Sequence, residues 1–188
     1  PPPPAPVVSD PENFLVKRYS GWIYTELLLD SVVCIITVMF RREVVENLGG
    51  FDESLPTGED YDFWLRMSRH FRADKLNRVL AYYRMNASSI TKTPRAENNE
   101  YVVLTKMLDR YGLVGPDGST ASENAVQGRL FQLCFSHGYF HFWSGGNSCS
   151  ALQAFQAARS YSANSLKLFV YIILAKIKCI LFLDKGKP

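Results

Sequence analysis

The sequence predicts an α/β unit followed by a helical extension, and three observations predict it. Residues 31–40 form an unbroken β-branched and apolar run; residues 78–85 carry aromatic and β-branched content suited to a strand; and much of the remaining chain repeats apolar residues at helical spacing. At 188 residues, 47% of them hydrophobic and 13% aromatic, the chain can bury a real core. A net charge of +3 is only mildly basic and gives no reason to expect nucleic acid as a partner.

The organisation expected is a proline-rich linker over 1–11, an α/β segment over 12–95 and a helical extension over 96–188. Six of the first eleven residues are proline, which favours extended polyproline II geometry. From Glu12 to Asp30, Phe14, Leu15, Tyr19, Trp22, Ile23 and Leu27 recur near a 3.6 period and predict a helix despite Gly21. Ser31–Phe40 reads as a strand buried on both faces. Arg41–Leu48 is a short helix that Gly49 can end in the left-handed conformation, so that Gly50 and Phe51 turn the chain.

Gly58–Phe71 is the helix around which the site is read. Trp64, Met67 and Phe71 fall on one buried stripe, while Glu59, Asp60 and Asp62 crowd the first turn, where acids suit the helix dipole. Thr57 with Asp60 has nearly the spacing of a capping box, so a well-capped surface helix is one reading. Carboxylates held at the rim of an apolar floor are also candidate general bases, which is the other. Arg66 pairs with Asp62 across one helical turn. Arg78–Met85 then reads as a second strand returning to the same place, with a polar loop from Asn86 to Thr91.

Ala96–Tyr111 predicts an amphipathic helix with Tyr101, Leu104, Leu108 and Tyr111 on one stripe and Gly112 at its end. After the turn Gly115–Ser119, Phe131, Phe135, Gly138 and Phe142 followed by Ala151, Phe155 and Ala158 predict a helix pair of tetratricopeptide-like spacing. His137 and His141 stand at i and i+4, a spacing compatible with metal, though no third ligand is evident. Residues 166–183 are the most hydrophobic stretch; Lys176 and Lys178 argue against a spanning helix and leave a packed final helix or a membrane-surface helix. Cys34, Cys134, Cys149 and Cys179 are far apart with no C-x-x-C pair, so neither zinc nor a disulfide framework is indicated, and reduced thiols in a cytoplasmic protein are expected.

Residues 36–45, the G-G-F-D-E turn, Gly-Glu-Asp-Tyr-Asp-Phe-Trp-Leu-Arg at 58–66 and Leu80–Asn86 together resemble, in order and spacing, the C-terminal half of family-2 glycosyltransferases. The resemblance covers residues 20 to 92. It implies a GT-A, Rossmann-like nucleotide-diphospho-sugar transferase fold, with the partner half upstream of residue 1, and a role in glycan or cell-surface polysaccharide synthesis. By that resemblance Asp60 is the general base of an inverting transfer from a nucleotide-sugar donor to a hydroxyl acceptor, with Glu59 beside it. Gly49, Gly50, Arg41, Asp62, Trp64, Arg66 and Arg84 fall at donor- or acceptor-binding positions.

The family's divalent cation, magnesium or manganese, would be held mainly by a D-x-D motif in the preceding half; Asp60-Tyr61-Asp62 opens a helix and is not read as that motif. Where the family has a histidine this chain has Asn86, whose amide oxygen can still ligate a hard cation. Without that preceding half, which carries the diphosphate-binding strands, the isolated chain is expected to be inactive. The location expected is cytoplasmic, with residues 166–183 able to place the protein on the inner face of a membrane. The alternative from another class is a non-catalytic interaction module whose helical tail binds a protein partner or a membrane.

Overall fold

Gly21 decides how the chain begins. Its φ of 98° is a conformation that side-chain-bearing residues rarely adopt, so the helical pattern across 12–30 breaks into a 3-10 turn at Lys17–Tyr19 and a helix α1, Tyr24–Leu29. The computed structural model describes residues 14–84, 95–144, 147–162 and 165–185. The proline-rich stretch 1–11, Met85, Asn86 and the loop to Thr91 lie outside the described residues.

The remaining helices are α2, Arg42–Leu48; α3, Glu59–Ser68; α4, Asn99–Tyr111; α5, Glu123–Trp143; α6, Ser148–Arg159; and α7, Leu166–Lys185. Among the described residues no sheet forms. Backbone pairing outside helices is confined to isolated antiparallel bridges, Leu15 with Leu76, Gly21 with Ala73 and Val114 with Thr120. The α/β expectation, and with it the GT-A, Rossmann-like fold, is therefore overturned: the protein is helical.

Both expected strands fail for one reason. Cys34 and Val38 are extended, as β-branched neighbours favour, but between them Ile35–Thr37 closes a 3-10 turn, with Thr37 N–H and Oγ1–H both donating to the Cys34 carbonyl. Extended backbone becomes a strand only when another strand satisfies its N–H and C=O groups, and none among the described residues lies alongside. Nor is the run buried on both faces, since Met39 is 96% exposed and Ile35, Ile36 and Phe40 are also exposed. Residues 78–84 form no bridge or strand with other described residues, and Val79, Leu80, Tyr82 and Tyr83 are exposed.

The chain divides into two compact units, residues 1–85 with 103–122, and residues 86–102 with 123–188. In the first, Tyr24, Leu27 and Leu28 of α1 pack with Tyr61, Phe63, Trp64 and Leu65 of α3 and with Val103, Leu104 and Met107 of α4, all essentially closed to solvent. The stripe foreseen on α4 is shifted: Leu104 is buried, Tyr101, Leu108 and Tyr111 are half-buried, and Val103 and Met107 fill the core. Polar groups in this core are satisfied by backbone. Tyr61 donates to the Leu27 carbonyl at 2.6 Å and Tyr24 to the Gly112 carbonyl at 2.9 Å. Burial pushes the Tyr24 hydroxyl up to about 12, against the opposing pull of the Arg69 guanidinium over its ring.

In the second unit α5 packs on α6 and α6 on α7. Gly138 is where α5 and α6 come closest: a Cβ there would sit 2.8 Å from the Phe155 ring and 3.2 Å from the Ala151 carbonyl. The pair foreseen from Phe135, Gly138, Phe142, Ala151, Phe155 and Ala158 forms around this approach, closed by Leu168 and Ala175 of α7. Asn147 caps α6, its side chain accepting from Cys149 N–H at 2.8 Å.

The expectation of four reduced thiols is overturned for one pair. Cys149 of α6 and Cys179 of α7 form a disulfide across a Cα separation of 5.1 Å. Spacing rules detect cysteines close in sequence, and these are 30 residues apart on different helices. Cys34 is an exposed thiol, and Cys134 is a buried one whose pKa burial raises to about 11. Among the described residues no helix is long and apolar enough to cross a membrane.

His137 supplies a pH dependence within this unit. Burial first, and the neighbouring His141 ring second, hold its pKa below 6.5, opposed by a hydrogen bond with the Ala96 backbone. Between that lowered value and 6.5 the unfolded chain binds more protons than the folded one, so stability is full above about pH 6.5 and falls as pH drops through that window. Urea midpoints taken from pH 7.5 to pH 5 should show this loss, and His137→Gln should flatten it.

Candidate functional site

The first turn of α3 is built by glycine and held by arginine. Gly58, at φ 79°, is the N-cap, and no side chain caps the helix, so the capping box foreseen from Thr57 and Asp60 does not form. The left-handed turn at Gly58 instead starts the helix, and Glu59, Asp60 and Asp62 follow in its first turn beside the partial positive charge of the open backbone N–H groups.

Asp62 turns inward and is 1% exposed, which for a carboxylate requires a counter-charge. Arg66 supplies it, Nε donating to Oδ2 at 2.7 Å. The same guanidinium donates to the Leu48 carbonyl and to the Gly50 carbonyl, each at 2.9 Å. One side chain thus ties the end of α2 and the glycine turn to α3, and Gly49, at φ 74°, ends α2 so that the chain can make that turn. Arg66 and Asp62 are orienting groups here, and Gly50 is held through its carbonyl.

Lys106 is a residue that sequence reasoning missed. Its Nζ lies 3.4 Å from Asp52 Oδ2 and 3.8 Å from Asp62 Oδ1, so α4 delivers a second cation to the acidic turn. Nothing in the local pattern around position 106 announces this, because the partners are more than forty residues away. Asp52 itself is held below the usual carboxylate range, first by the Ser54 hydroxyl and amide and then by Lys106.

Asp60 is half-buried, and its Oδ1 accepts from the Tyr61 N–H at 2.7 Å. Glu59 is also half-buried. One turn below Asp60 on the same helix, Phe63 and Trp64 form a floor against which Phe40 and Phe51 lie. Their ring centroids are 5.0 to 5.5 Å from Phe63 and 6.2 to 6.3 Å from Trp64. Phe63 and Trp64 are buried, whereas Phe40 and Phe51 are 38% and 40% exposed. Trp64 is thus a support for the exposed rings, and its Nε1 has no hydrogen-bond partner among the described residues.

The other residues named from the sequence fall elsewhere. Arg41 precedes α2 as an exposed side chain 3.6 Å from Glu43. Arg84 is exposed and lies in backbone that forms no bridge or strand with other described residues, and Asn86 lies outside the described residues. His141 Nε2 donates to the Arg95 carbonyl at 2.6 Å, and among the described residues no group of three or more His, Cys, Asp or Glu gathers where a metal ion could be held. Asp62 already faces Arg66 on one oxygen and lies 3.8 Å from Lys106 on the other, so it is not an open ligand for a cation.

No family model, curated protein or solved structure matches the chain. The resemblance to family-2 glycosyltransferases is therefore overturned on two counts, the missing family match and the helical fold in place of a parallel sheet.

Proposed function

We propose that the mouth of α3 binds a carbohydrate and that Asp60 takes the proton of a sugar hydroxyl during glycosyl transfer from a nucleotide-sugar donor. The observation that carries this reading is the pair of half-exposed rings, Phe40 and Phe51, packed against Phe63 and Trp64, which stand one helical turn from Asp60 and Glu59 on α3. One face of a pyranose is a sheet of C–H bonds, which suits the negative face of an aromatic ring, while its hydroxyls need acceptors at the edge. Rings packed on α3 and carboxylates in its first turn offer both kinds of contact. A single base acting opposite the leaving group gives inversion at the anomeric carbon. The polar first turn of α3 keeps Asp60 within reach of water and acceptor alike.

A second reading, a sugar-binding module without turnover, draws on the Asp60 Oδ1 contact with its own helix, which occupies one of the two oxygens a base could use. Transfer of labelled sugar from nucleotide-sugar donors to oligosaccharide acceptors separates the two. In the transferase reading Asp60→Asn lowers turnover by about 10²–10⁴-fold while acceptor binding, followed by saturation-transfer NMR, persists. Phe51→Ala weakens that binding by about tenfold in either reading. Full turnover in Asp60→Asn removes the base, and unchanged binding in Phe51→Ala removes the sugar platform. The cytoplasmic placement rested on reduced thiols, and the Cys149–Cys179 bond withdraws that support.

A further inference from the structure

α7 has two apolar faces. Leu168, Ala175 and Cys179 point into the second unit and are buried. On the opposite side Leu166, Phe169, Val170, Ile173, Leu174, Ile177, Ile180 and Leu181 are all exposed. At 100° per residue they form one stripe roughly 140° wide, unbroken from the first turn of the helix. The buried side is fixed in place by packing and by the Cys149–Cys179 bond, so the helix cannot roll to hide the exposed one.

The lysines mark the borders of that stripe. Lys176 stands at one edge, and Lys167 and Lys178 at the other; Lys167 and Lys176 are exposed, while Lys178 donates to the Phe142 carbonyl. Basic side chains on both margins of an apolar face are what an anionic surface of hydrocarbon beneath and phosphate above would select. Of the three, Lys176 stands exposed, while the Nζ of Lys167 lies 5.1 Å over the Phe135 ring and Lys178 is turned onto Phe142. With Lys185 and Lys187 the sequence after Ser165 holds five lysines in all against one acid, Asp184. A second copy of the same face would instead bring lysine margins together.

We propose that this face of α7 lies in the interfacial region of an anionic lipid bilayer, parallel to its plane. The inference is independent of the α3 site. Co-sedimentation of the protein with phosphatidylcholine vesicles, with and without phosphatidylserine, tests it. Binding is expected with phosphatidylserine, weaker without it, and falling as salt is raised. Lys176→Gln should weaken it about fivefold. Ile177→Asp, at an exposed position that leaves the fold intact by circular dichroism, should abolish it.

Absence of binding to phosphatidylserine vesicles overturns the proposal, as does equal binding by Ile177→Asp or by vesicles of phosphatidylcholine alone. A dimer in light scattering that Ile177→Asp converts to monomer, without vesicle binding, would assign the face to self-association and overturn it too.

Discussion

Arg66→Ala lowers the stability of the first unit by about 3–5 kcal/mol, because it leaves the Asp62 carboxylate buried without its ion pair. Lys106 cannot make good the loss, since its Nζ is 3.8 Å from the other Asp62 oxygen and its side chain is half exposed. The Leu48 and Gly50 carbonyls lose their donors in the same step, so the glycine turn loosens as well. Arg66→Lys should fall between the parent and the alanine variant, for an ammonium can face Asp62 but cannot fork to two carbonyls at once. Urea unfolding followed by tryptophan fluorescence, to which Trp64 on the same helix contributes, reads the effect. A loss under about 1 kcal/mol would mean that the pair behaves as a surface ion pair and that the account of the buried carboxylate is wrong.

Reducing the Cys149–Cys179 bond should cost the second unit about 3–4 kcal/mol, the chain-entropy value for a loop of this length. Cys149→Ala with Cys179→Ala should match the reduced parent within the error of the midpoint. Thiol alkylation gives a separate check on the pairing. Without reductant Cys34 should react quickly and Cys134 slowly, since burial keeps its thiol protonated, while Cys149 and Cys179 should react only after reduction. Prompt alkylation of all four cysteines without reductant would contradict the bond.

What the sequence made legible was local. Gly49 and Gly112 end helices, as their places after apolar-periodic runs suggest, although Gly49, at φ 74° and ψ -172°, is not in the left-handed helical conformation foreseen. Trp64 and Met67 are buried as their spacing suggests, but α3 ends at Ser68, short of the half-buried Phe71, and is closed in on nearly every side, with Tyr61, Phe63 and Leu65 buried too. The pairing of α5 with α6 was foreseen; the approach of Gly138 to Phe155 was not. What it hid was pairing at a distance. Residues 31–40 carry a strand's composition, but a strand is a relation between two segments, and no periodicity reveals that the second is missing. Gly21 overrode a helical pattern that side chains on either side supported. Lys106 and the Cys149–Cys179 pair act across many intervening residues, so no window of sequence around any one of them holds the information.

At the site the balance was similar. The Asp62–Arg66 pair was readable from i, i+4 spacing, but not that the same arginine would reach back to two carbonyls. The rings of Phe40 and Phe51 gave no sign of a common floor, one having been assigned to a strand and the other to a turn.

The alternation of the two units along the chain bears on how the protein can be dissected. A fragment stopping at residue 85 lacks Val103, Leu104 and Met107, and leaves the Tyr24 hydroxyl without the Gly112 carbonyl that receives it. One starting at residue 123 lacks Asn98, whose amide donates to the Leu133 carbonyl, and Tyr101, whose hydroxyl meets that of Tyr161. Expressing either half by itself therefore produces an incomplete core, and a working recombinant design has to carry the whole span or graft residues 103–122 onto the first piece.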